Sequence, residues 1–307
     1  MELTQYPKRP LFKWSGGKQK LLDRYSALNF FPDSSEFDTF VDLFFGAGAV
    51  TLWVAERYPD KNLVINDFNQ EMMMMYCHMR DNWDEFLYHY QKTFEVFLNT
   101  PVDRRKDLYN CYKRRYAWGY KTMNPIEVSA NLLVMMKINF NGIWLTYKKF
   151  GRRYSTAPGH VTYKPTVFDV SEVEKFRDVL RRATVYNRSF EDVPIPDNSW
   201  VYADPPYRET RDVQYAGTFD DDKQRVLVEV LKDVEERGGL YCLSNKCLGD
   251  GFWEDLFPEE NIHRVPNKFT CGHGAAVNIV TEVLIKNYGH NILTFVQPSL
   301  EQFFSAA

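Results

Sequence analysis

Residues 38–58, DTFVDLFFGAGAVTLWVAERY, decide the fold, because a strand, a glycine turn and a helix follow one another there without a break. The apolar run predicts a buried strand over 38–45. Residues 62–69, NLVINDFN, predict a second short strand. A strand, a glycine turn, a helix and another strand in this order form one half of a parallel α/β sheet.

The glycine turn offers a place for a bound nucleoside. Gly46 and Gly48 let the backbone turn tightly and approach a ligand. Asp67 lies twenty-one residues beyond Gly46, at the end of the second strand, where a carboxylate can reach ribose hydroxyls. Thr51 stands where a dinucleotide-binding turn carries its third glycine. The pattern therefore favours a nucleoside without a pyrophosphate, such as S-adenosylmethionine, with a purely structural turn as the alternative.

The α/β alternation resumes after the middle of the chain. Apolar spacing predicts a helix from Ser171 to Arg182, capped by Ser171, and a second helix over 220–237 that starts at Asp220. Four apolar runs predict further strands, at 183–187, 199–203, 239–245 and 280–287.

The bulk composition fits one large domain that carries an insertion. The chain has 307 residues, of which 44% are apolar, and this is enough for a sizeable core. Its five cysteines include no CxxC pair, which argues against a disulfide framework or a zinc site. No apolar run has the length of a membrane helix or the position of a signal peptide. We therefore expect a cytoplasmic protein without a metal and without a membrane partner.

The middle of the chain, 79–164, differs from its flanks in its predicted structure, which is largely helical at first and loop-like afterwards. Within 101–164, thirteen lysines and arginines accompany three acids, a net charge of +10 in a chain of net charge −3. Eleven aromatic residues share this stretch. A basic segment interleaved with aromatics indicates contact with nucleic acid, and a solvated helix face is the alternative.

Residues 12–22, FKWSGGKQKLL, only superficially resemble a phosphate-binding loop. Gln19 follows the lysine where that loop requires serine or threonine, so a nucleoside triphosphate is not expected. The glycines instead predict a helix start that faces an anion such as a carboxylate, with Lys18 adding positive charge. Trp14 either stacks on a purine or belongs to the core.

Residues 200–209, WVYADPPYRE, place Asp204 at the carboxyl end of a strand, where ligand sites of α/β proteins lie. Pro205 and Pro206 hold the chain extended and remove two N–H donors. The turn therefore presents acceptors, and Tyr207 adds a flat ring. This combination suits a planar base with an exocyclic amino group, which donates to Asp204 and to the Pro205 carbonyl while Tyr207 stacks on the ring.

Two fixed acceptors also have a chemical purpose. They hold the protons of a ring amine, favour a pyramidal nitrogen and stabilise the charge that develops when the lone pair attacks a methyl sulfonium. Such an atom is inaccessible inside a duplex, so the base must be flipped out. Phe140, Trp144 and Tyr147 are candidates to fill the space that the base leaves.

Over about residues 10–288, the chain resembles the Dam-like (α-group, D12 class) DNA adenine-N6 methyltransferases. The motifs that carry the resemblance are, in sequence order, FKWSGGK, FFGAGAV, the acid of INDFN, NFNGIW and YADPPY. The resemblance implies a Rossmann-like, S-adenosylmethionine-dependent methyltransferase sheet with an inserted, mostly helical target-recognition domain. Residues 1–78 and 165–290 would bind the cofactor and catalyse, 79–164 would recognise the target, and 291–307 would form a C-terminal tail.

The resemblance also implies roles for individual residues. The catalytic tetrad would be Asp204, Pro205, Pro206 and Tyr207. The cofactor contacts would be Trp14, Lys18, Phe45, Gly46, Ala47, Gly48, Asp67, Phe190 and Asp204. The candidate DNA contacts are Arg114, Arg115, Asn141, Lys148, Lys149, Arg152 and Arg153. Double-stranded DNA would be the partner of a monomer in a bacterial cell or a virus-infected host cell.

The target sequence stays open, because the insert departs from the family members that recognise GATC. Leu145 or Thr146 stands where those members carry an arginine, and residues 271–281, CGHGAAVNIVT, lack their basic residues. GATC is therefore possible without support from the insert. The alternative functions are N4 methylation of cytosine, adenine methylation in RNA, and DNA binding without catalysis; by family analogy, Asp204 favours adenine.

Overall fold

Two buried strands form the first half of the sheet. In the computed structural model of the chain, β1 covers Thr39–Asp42, α1 covers Ala49–Arg57 and β2 covers Asn62–Asn66. All four residues of β1 and the last four of β2 are buried, as expected of parallel strands covered on both faces. The first strand is shorter than expected, because the chain turns toward the glycines directly after β1.

The structure describes residues 7, 9–14, 16–18, 22, 25, 30–147, 153–160, 162–208, 219–269 and 278–289. The described residues of Met1–Arg24 and Phe40–Pro194 form one compact unit. Those of Tyr25–Thr39, Ile195–Thr210 and Phe219–Ala307 form a second. The expected C-terminal tail, 291–307, lies outside the described residues.

Four helices follow β2 in the first unit, as the largely helical pattern predicts. They are α2 (Gln70–Asp81), α3 (Trp83–Asn99), α4 (Arg105–Gly119) and α5 (Pro125–Ile138). Helix α5 is buried along most of its length and packs against the other three, which its apolar sequence requires. A short antiparallel hairpin follows, made of β3 (Thr146–Tyr147) and β4 (Arg153–Tyr154).

Helix α6 (Val170–Arg182) and strand β5 (Ala183–Tyr186) complete the first unit. The helix buries Val173, Phe176, Val179 and Leu180, the apolar stripe seen in the sequence. The predicted cap is wrong by two residues. Asp169 is the N-cap, because its carboxylate accepts hydrogen bonds from both the backbone N–H and the hydroxyl of Ser171.

The second unit contributes β6 (Ser199–Ala203), α7 (Asp221–Glu236), β7 (Leu240–Lys246), β8 (Ile262–Phe269) and β9 (Asn278–Lys286). Asp220 caps α7 as predicted. Strand β8 was not predicted, since IHRVPNKF mixes charged residues with a proline; it pairs at the sheet edge, where proline is tolerated. The seven strands form one sheet in the order β5-β2-β1-β6-β7-β9-β8, which confirms the α/β fold class.

Within the described ranges, none of the helices is both long and apolar enough to cross a membrane. The same residues contain no group of three or more histidine, cysteine or acidic side chains arranged to hold a metal ion. The four described cysteines are free thiols.

Candidate functional site

The glycine turn after β1 accepts only glycine at two positions. Gly46 has φ 51° and Gly48 has φ 79°, both in the left-handed region. A Cβ at Gly46 would lie 2.9 Å from the indole nitrogen of Trp14, and a Cβ at Gly48 would lie 2.6 Å from the ring of Phe45. The turn is therefore packed tightly under Trp14, and any larger residue would displace one of these rings.

Trp14 lies directly beside this turn. Its ring is half-buried and contacts Phe12 at 6.4 Å and Trp144 at 6.1 Å between ring centroids. The sequence left open whether Trp14 is a core residue or a stacking surface. Its position combines both: one part of the ring packs on Gly46, and another part stays accessible.

Asp67 holds the glycine turn and the start of α2 together. One carboxylate oxygen accepts from the backbone N–H of Gly46 at 2.8 Å, and the other accepts from that of Asn69 at 2.8 Å. Burial raises the pKa of Asp67 above its ordinary value. A carboxylate offers about four lone-pair positions, so Asp67 can accept further hydrogen bonds from a ribose.

The ends of β2 and β5 meet beside Asp67. The side-chain amide of Asn187 donates to the Asp67 carbonyl at 2.7 Å, and Asn66 exchanges hydrogen bonds with the Arg188 backbone at 3.0 and 3.3 Å. Phe190 is buried against Phe44, with ring centroids 5.6 Å apart. The structure thus brings the predicted contact at Phe190 to the same sheet edge as Asp67, where carboxyl ends of parallel strands form ligand sites.

Lys18, Phe45 and Ala47 are buried. The ammonium group of Lys18 donates to the Gly16 carbonyl at 3.3 Å. The ring of Phe45 points inward and meets the ring of Tyr76 edge-on at 5.2 Å. Phe45 and Ala47 can therefore contact a ligand mainly through their backbone.

Two supporting residues of the turn were missed by the sequence analysis. The hydroxyl of Tyr76 donates to the Gly46 carbonyl at 2.9 Å, and the hydroxyl of Thr51 donates to Asp42 at 2.7 Å. Thr51 and Asp42 are buried, so the threonine at the third-glycine position of a dinucleotide-binding turn links α1 to β1 here. An acid within an apolar strand was the one local sign that could have marked Asp42.

In the second unit, the Asp204–Tyr207 turn begins directly after β6, with Asp204 half-buried. Its second proline carbonyl, that of Pro206, accepts from the side-chain amide of Gln224 at 2.9 Å. Gln224 is fully buried and accepts in turn from Asn245 at 3.2 Å. The Pro206 carbonyl thus has a partner inside the protein.

The hydroxyl of Tyr207 is held by two side chains. It donates to Glu282 at 3.0 Å and lies 3.4 Å from the hydroxyl of Ser244. Burial and the neighbouring carboxylates of Asp204 and Glu282 raise the pKa of Tyr207 well above its ordinary value. Tyr207 therefore keeps its proton at neutral pH and always acts as a donor toward Glu282.

Arg208 fixes the end of the turn. Its guanidinium is buried, donates two hydrogen bonds to Asp221 at 2.7 and 2.8 Å, and bonds Asp250 at 3.0 Å. It also lies over the ring of Phe252 at 3.8 Å from the centroid. Such a bidentate, stacked arginine is geometrically specific, and it holds the backbone that follows Tyr207.

The NFNGIW segment of the insert forms a tight turn with an exposed tip. Asn141 and Gly142 have φ 55° and 68°, and the N–H of Ile143 donates to the Phe140 carbonyl at 3.2 Å. Asn139 is buried and accepts from the N–H of Gly142 at 3.0 Å. Phe140, which is 50% exposed, and Asn141 therefore project from a rigid base.

The surface charge of the insert is smaller than its sequence charge. Arg105 is buried and donates to backbone carbonyls, among them that of Leu98 at 2.8 Å. Lys137 donates to the carbonyls of Leu11 and Val167 at 2.9 and 3.1 Å. These two cations support the fold, so the +10 of the segment overstates the charge that it offers to DNA.

The predicted DNA contacts differ in their surroundings. Arg114 is exposed and donates to the sulfur of Cys111, whereas Arg115 forms an ion pair with Glu127 at 2.8 Å. Lys148, Lys149 and Arg152 lie outside the described residues. So does the side chain of Arg153, whose backbone belongs to β4.

The expectation that Trp144 fills the space of a flipped base is wrong. Trp144 is buried and packs against Tyr154, with ring centroids 5.0 Å apart, and against Trp14. Phe140 is exposed enough for such a role. The side chain of Tyr147 lies outside the described residues.

The pKa of Lys137 predicts that the free energy of unfolding depends on pH. Burial lowers its pKa to about 8, whereas an unfolded lysine titrates near pH 10.4, so between these values the unfolded chain binds more protons. The contribution of Lys137 to the free energy of unfolding should therefore rise with pH across this window. The free energy of unfolding of the wild type minus that of Lys137→Met, measured by urea unfolding, should increase by about 3 kcal/mol from about pH 7.5 to about pH 10.5. A difference that stays constant would contradict a depressed pKa.

Comparison with known proteins agrees with these features. The sequence model of the D12 class N6 adenine-specific DNA methyltransferases matches residues 14–271. The Type II methyltransferase M.MjaIII of Methanocaldococcus jannaschii is 25% identical over 91% of this chain and 99% of its own length. The Type II methyltransferase M1.LlaDCHI of Lactococcus lactis subsp. cremoris is 28% identical over 92% of this chain and 96% of its own length.

A DNA adenine methylase of Escherichia coli K12 is 24% identical over 77% of this chain and 80% of its own length. The match to the family covers the glycine turn, Asp67, the basic insert and the Asp204–Tyr207 turn. Of the functions considered from the sequence, it selects adenine N6 over cytosine N4, and DNA over RNA. The chain belongs to the D12 class of N6 adenine-specific DNA methyltransferases, which take the methyl group from S-adenosylmethionine.

Proposed function

We propose that the Asp204–Tyr207 turn is the catalytic turn of this DNA adenine methyltransferase. The observation that carries the proposal is the place of the turn, which begins directly after β6 with Asp204 half-buried, where ligand sites of parallel α/β sheets lie. Asp204 and the Pro205 carbonyl take the two protons of the adenine amine, and the Pro206 carbonyl accepts from Gln224. Tyr207, whose hydroxyl is held by Glu282, stacks on the base.

The turn acts by orienting the amine rather than by removing its proton. A neutral ring amine can attack before it loses a proton, so Asp204 serves as a hydrogen-bond acceptor. Fixed acceptors stabilise the positive charge that develops on N6 without having to reorganise. The adenine reaches them only after it has left the duplex stack.

The first unit carries the residues that fit S-adenosylmethionine, which supplies an electrophilic methyl group when bound. The backbone of the glycine turn packs closely under Trp14, so this backbone and the accessible part of the Trp14 ring lie side by side. We assign the cofactor contacts of this unit to Trp14, Lys18, the backbone of Phe45, Gly46, Ala47 and Gly48, the carboxylate of Asp67, and Phe190. The family resemblance adds Asp204 of the second unit.

The insert, 79–164, is proposed as the target-recognition domain. Its exposed Phe140–Asn141 tip rests on a rigid turn, which suits entry into the duplex. Arg114 offers a phosphate contact that positions the DNA without specifying its sequence. Because two relatives are named Type II methyltransferases, we also propose a role in restriction-modification. GATC remains a possible target that the insert does not favour.

The contribution of Arg114 is testable through salt. Each phosphate contact adds about −0.9 to the slope of log K against log salt concentration, so Arg114→Ala should make the slope shallower by about one. Lys175, which pairs with Glu172 in α6 at 2.9 Å, is the matched control, and Lys175→Ala should leave the slope unchanged. Fluorescence anisotropy with labelled duplex DNA gives both slopes. Equal slopes for all three proteins would remove Arg114 from the interface.

The product of the reaction tests the function directly. Purified protein is incubated with unmethylated duplex DNA and isotopically labelled S-adenosylmethionine, and the DNA is digested to nucleosides for mass spectrometry. We expect the label in N6-methyl-2′-deoxyadenosine only. Label in N4-methylcytosine, or labelling of RNA but not of DNA, would contradict the proposal. Sequencing of the modified DNA then identifies the target sequence.

A further inference from the structure

We propose that Glu282 is a positioning residue for methyl transfer and that it acts through the hydroxyl of Tyr207. The proposal rests on the catalytic role assigned to Tyr207 above. Glu282 lies in β9 and is 1% exposed, next to the fully buried Val283. A carboxylate in such a strand is costly unless hydrogen bonds compensate its burial, so its presence needs an explanation.

Two tyrosine hydroxyls compensate the burial of the Glu282 carboxylate. One oxygen of Glu282 accepts from Tyr207 at 3.0 Å, and the other accepts from Tyr25 at 3.0 Å. Tyr25 is itself 1% exposed, so it fixes the carboxylate from inside the core. The carboxylate in turn fixes Tyr207, and a rigid group thereby sets the direction of a half-buried ring.

The position of the contact on the ring determines its effect. The hydroxyl lies on the Cβ–Cγ axis at the far end of the Tyr207 ring from the backbone, so a hydrogen bond there resists displacement of the ring by rotation about the Cα–Cβ bond. Ser244, at 3.4 Å, provides the weaker second contact. Without Glu282 the ring would occupy several orientations, and the base stacked on it would present its amine to Asp204 only part of the time.

Loss of Glu282 should lower kcat with little change in KM. Glu282→Ala should lower kcat for duplex DNA by about a hundredfold, because misplacement of a reacting group is expensive even when binding is intact. The KM for DNA and the Kd for S-adenosylmethionine should stay within about twofold, since neither partner is assigned to Glu282. Glu282→Gln keeps the shape and one acceptor oxygen, and it should lose about tenfold.

A double-mutant cycle separates positioning from mere stabilisation. Tyr207→Phe keeps the ring and removes its hydroxyl, so it should lower kcat about as much as Glu282→Gln. The double variant of Tyr207→Phe and Glu282→Gln should be no slower than the slower single variant, within about twofold, because both changes act on the same hydrogen bond. Tyr25→Phe is the matched control on the other oxygen of Glu282, and it should cost less activity than Tyr207→Phe.

Two results would overturn the proposal. Additive losses in the cycle would show that Glu282 does not act through the Tyr207 hydroxyl. Losses of activity that only parallel a lower Tm would assign Glu282 a structural role. If Glu282→Ala does not fold, the isosteric Glu282→Gln completes the same cycle.

The activity of Tyr207→Ala distinguishes failure of the proposed role of Glu282 from failure of the proposed function. Normal kcat in Tyr207→Ala would refute the catalytic turn itself. A large loss in Tyr207→Ala, combined with additive behaviour in the cycle, would refute the role of Glu282 alone.

Discussion

Replacement of Asp204 by alanine is expected to lower kcat about a thousandfold and to leave the affinity for duplex DNA within about twofold. The substitution removes the acceptor that holds one proton of the adenine amine, and the Pro205 carbonyl cannot replace it. DNA affinity should persist because the phosphate contacts are assigned to the insert. Single-turnover transfer of labelled methyl groups and fluorescence anisotropy measure the two quantities.

Two further variants test whether the loss of kcat is specific to the carboxylate of Asp204. Asp204→Asn keeps one acceptor oxygen and the shape of the side chain, so its kcat should fall between those of wild type and Asp204→Ala. Asp197 belongs to the same unit, and its side chain is 84% exposed, pairing with Arg237. Asp197→Ala should retain full activity. An Asp204→Ala enzyme with near-normal kcat would exclude the proposed chemistry of the turn.

Alanine at Gly48 is expected to reduce the affinity for S-adenosylmethionine at least about tenfold, because backbone conformation and packing both oppose a side chain there. The φ of 79° is unfavourable for any L-residue, and the new Cβ would lie 2.6 Å from the Phe45 ring. That ring is buried against Tyr76 and cannot move away. The displaced turn should lose its fit to the cofactor, as isothermal titration calorimetry would show.

Alanine at Gly238 is the control that introduces backbone strain without a clash in the glycine turn. Its φ is 78°, and no heavy atom lies within 4 Å of the position of an added Cβ. Gly238→Ala should therefore cost about 1 kcal/mol of unfolding free energy from backbone strain alone, with unchanged cofactor affinity. Comparison of Tm and Kd for both variants isolates the effect of the clash. Equal cofactor affinities in the two would mean that the glycine turn does not hold the cofactor.

Local sequence was sufficient wherever one short stretch carries both the conformation and the chemistry. Gly46 and Gly48 were expected in a tight turn after a strand, and both have positive φ. Asp204 was expected at a strand end, and β6 ends at Ala203. The cap of α7 at Asp220 was also predicted, because capping depends on a few neighbouring residues.

Local sequence was insufficient wherever a side chain finds its partner far along the chain. Glu282 meets Tyr207 across 75 positions and Tyr25 across 257, and no periodicity connects them. Lys137 reaches the Leu11 carbonyl across 126 positions, so one of the thirteen basic residues counted in 101–164 supports the fold. Trp144 was misassigned for the same reason, since its burial depends on Tyr154 and Trp14.

The sequence by itself determined the class of reaction, because the glycine turn, Asp67, the insert and the Asp204–Tyr207 turn follow one another in the order of the D12 class methyltransferases, whose model matches residues 14–271. Only the tertiary structure decided that the Pro206 carbonyl accepts from Gln224, which cations of the insert are buried, and which carboxylate accepts from the Tyr207 hydroxyl. These properties depend on burial and on hydrogen bonds between distant segments, which exist only once the chain has packed.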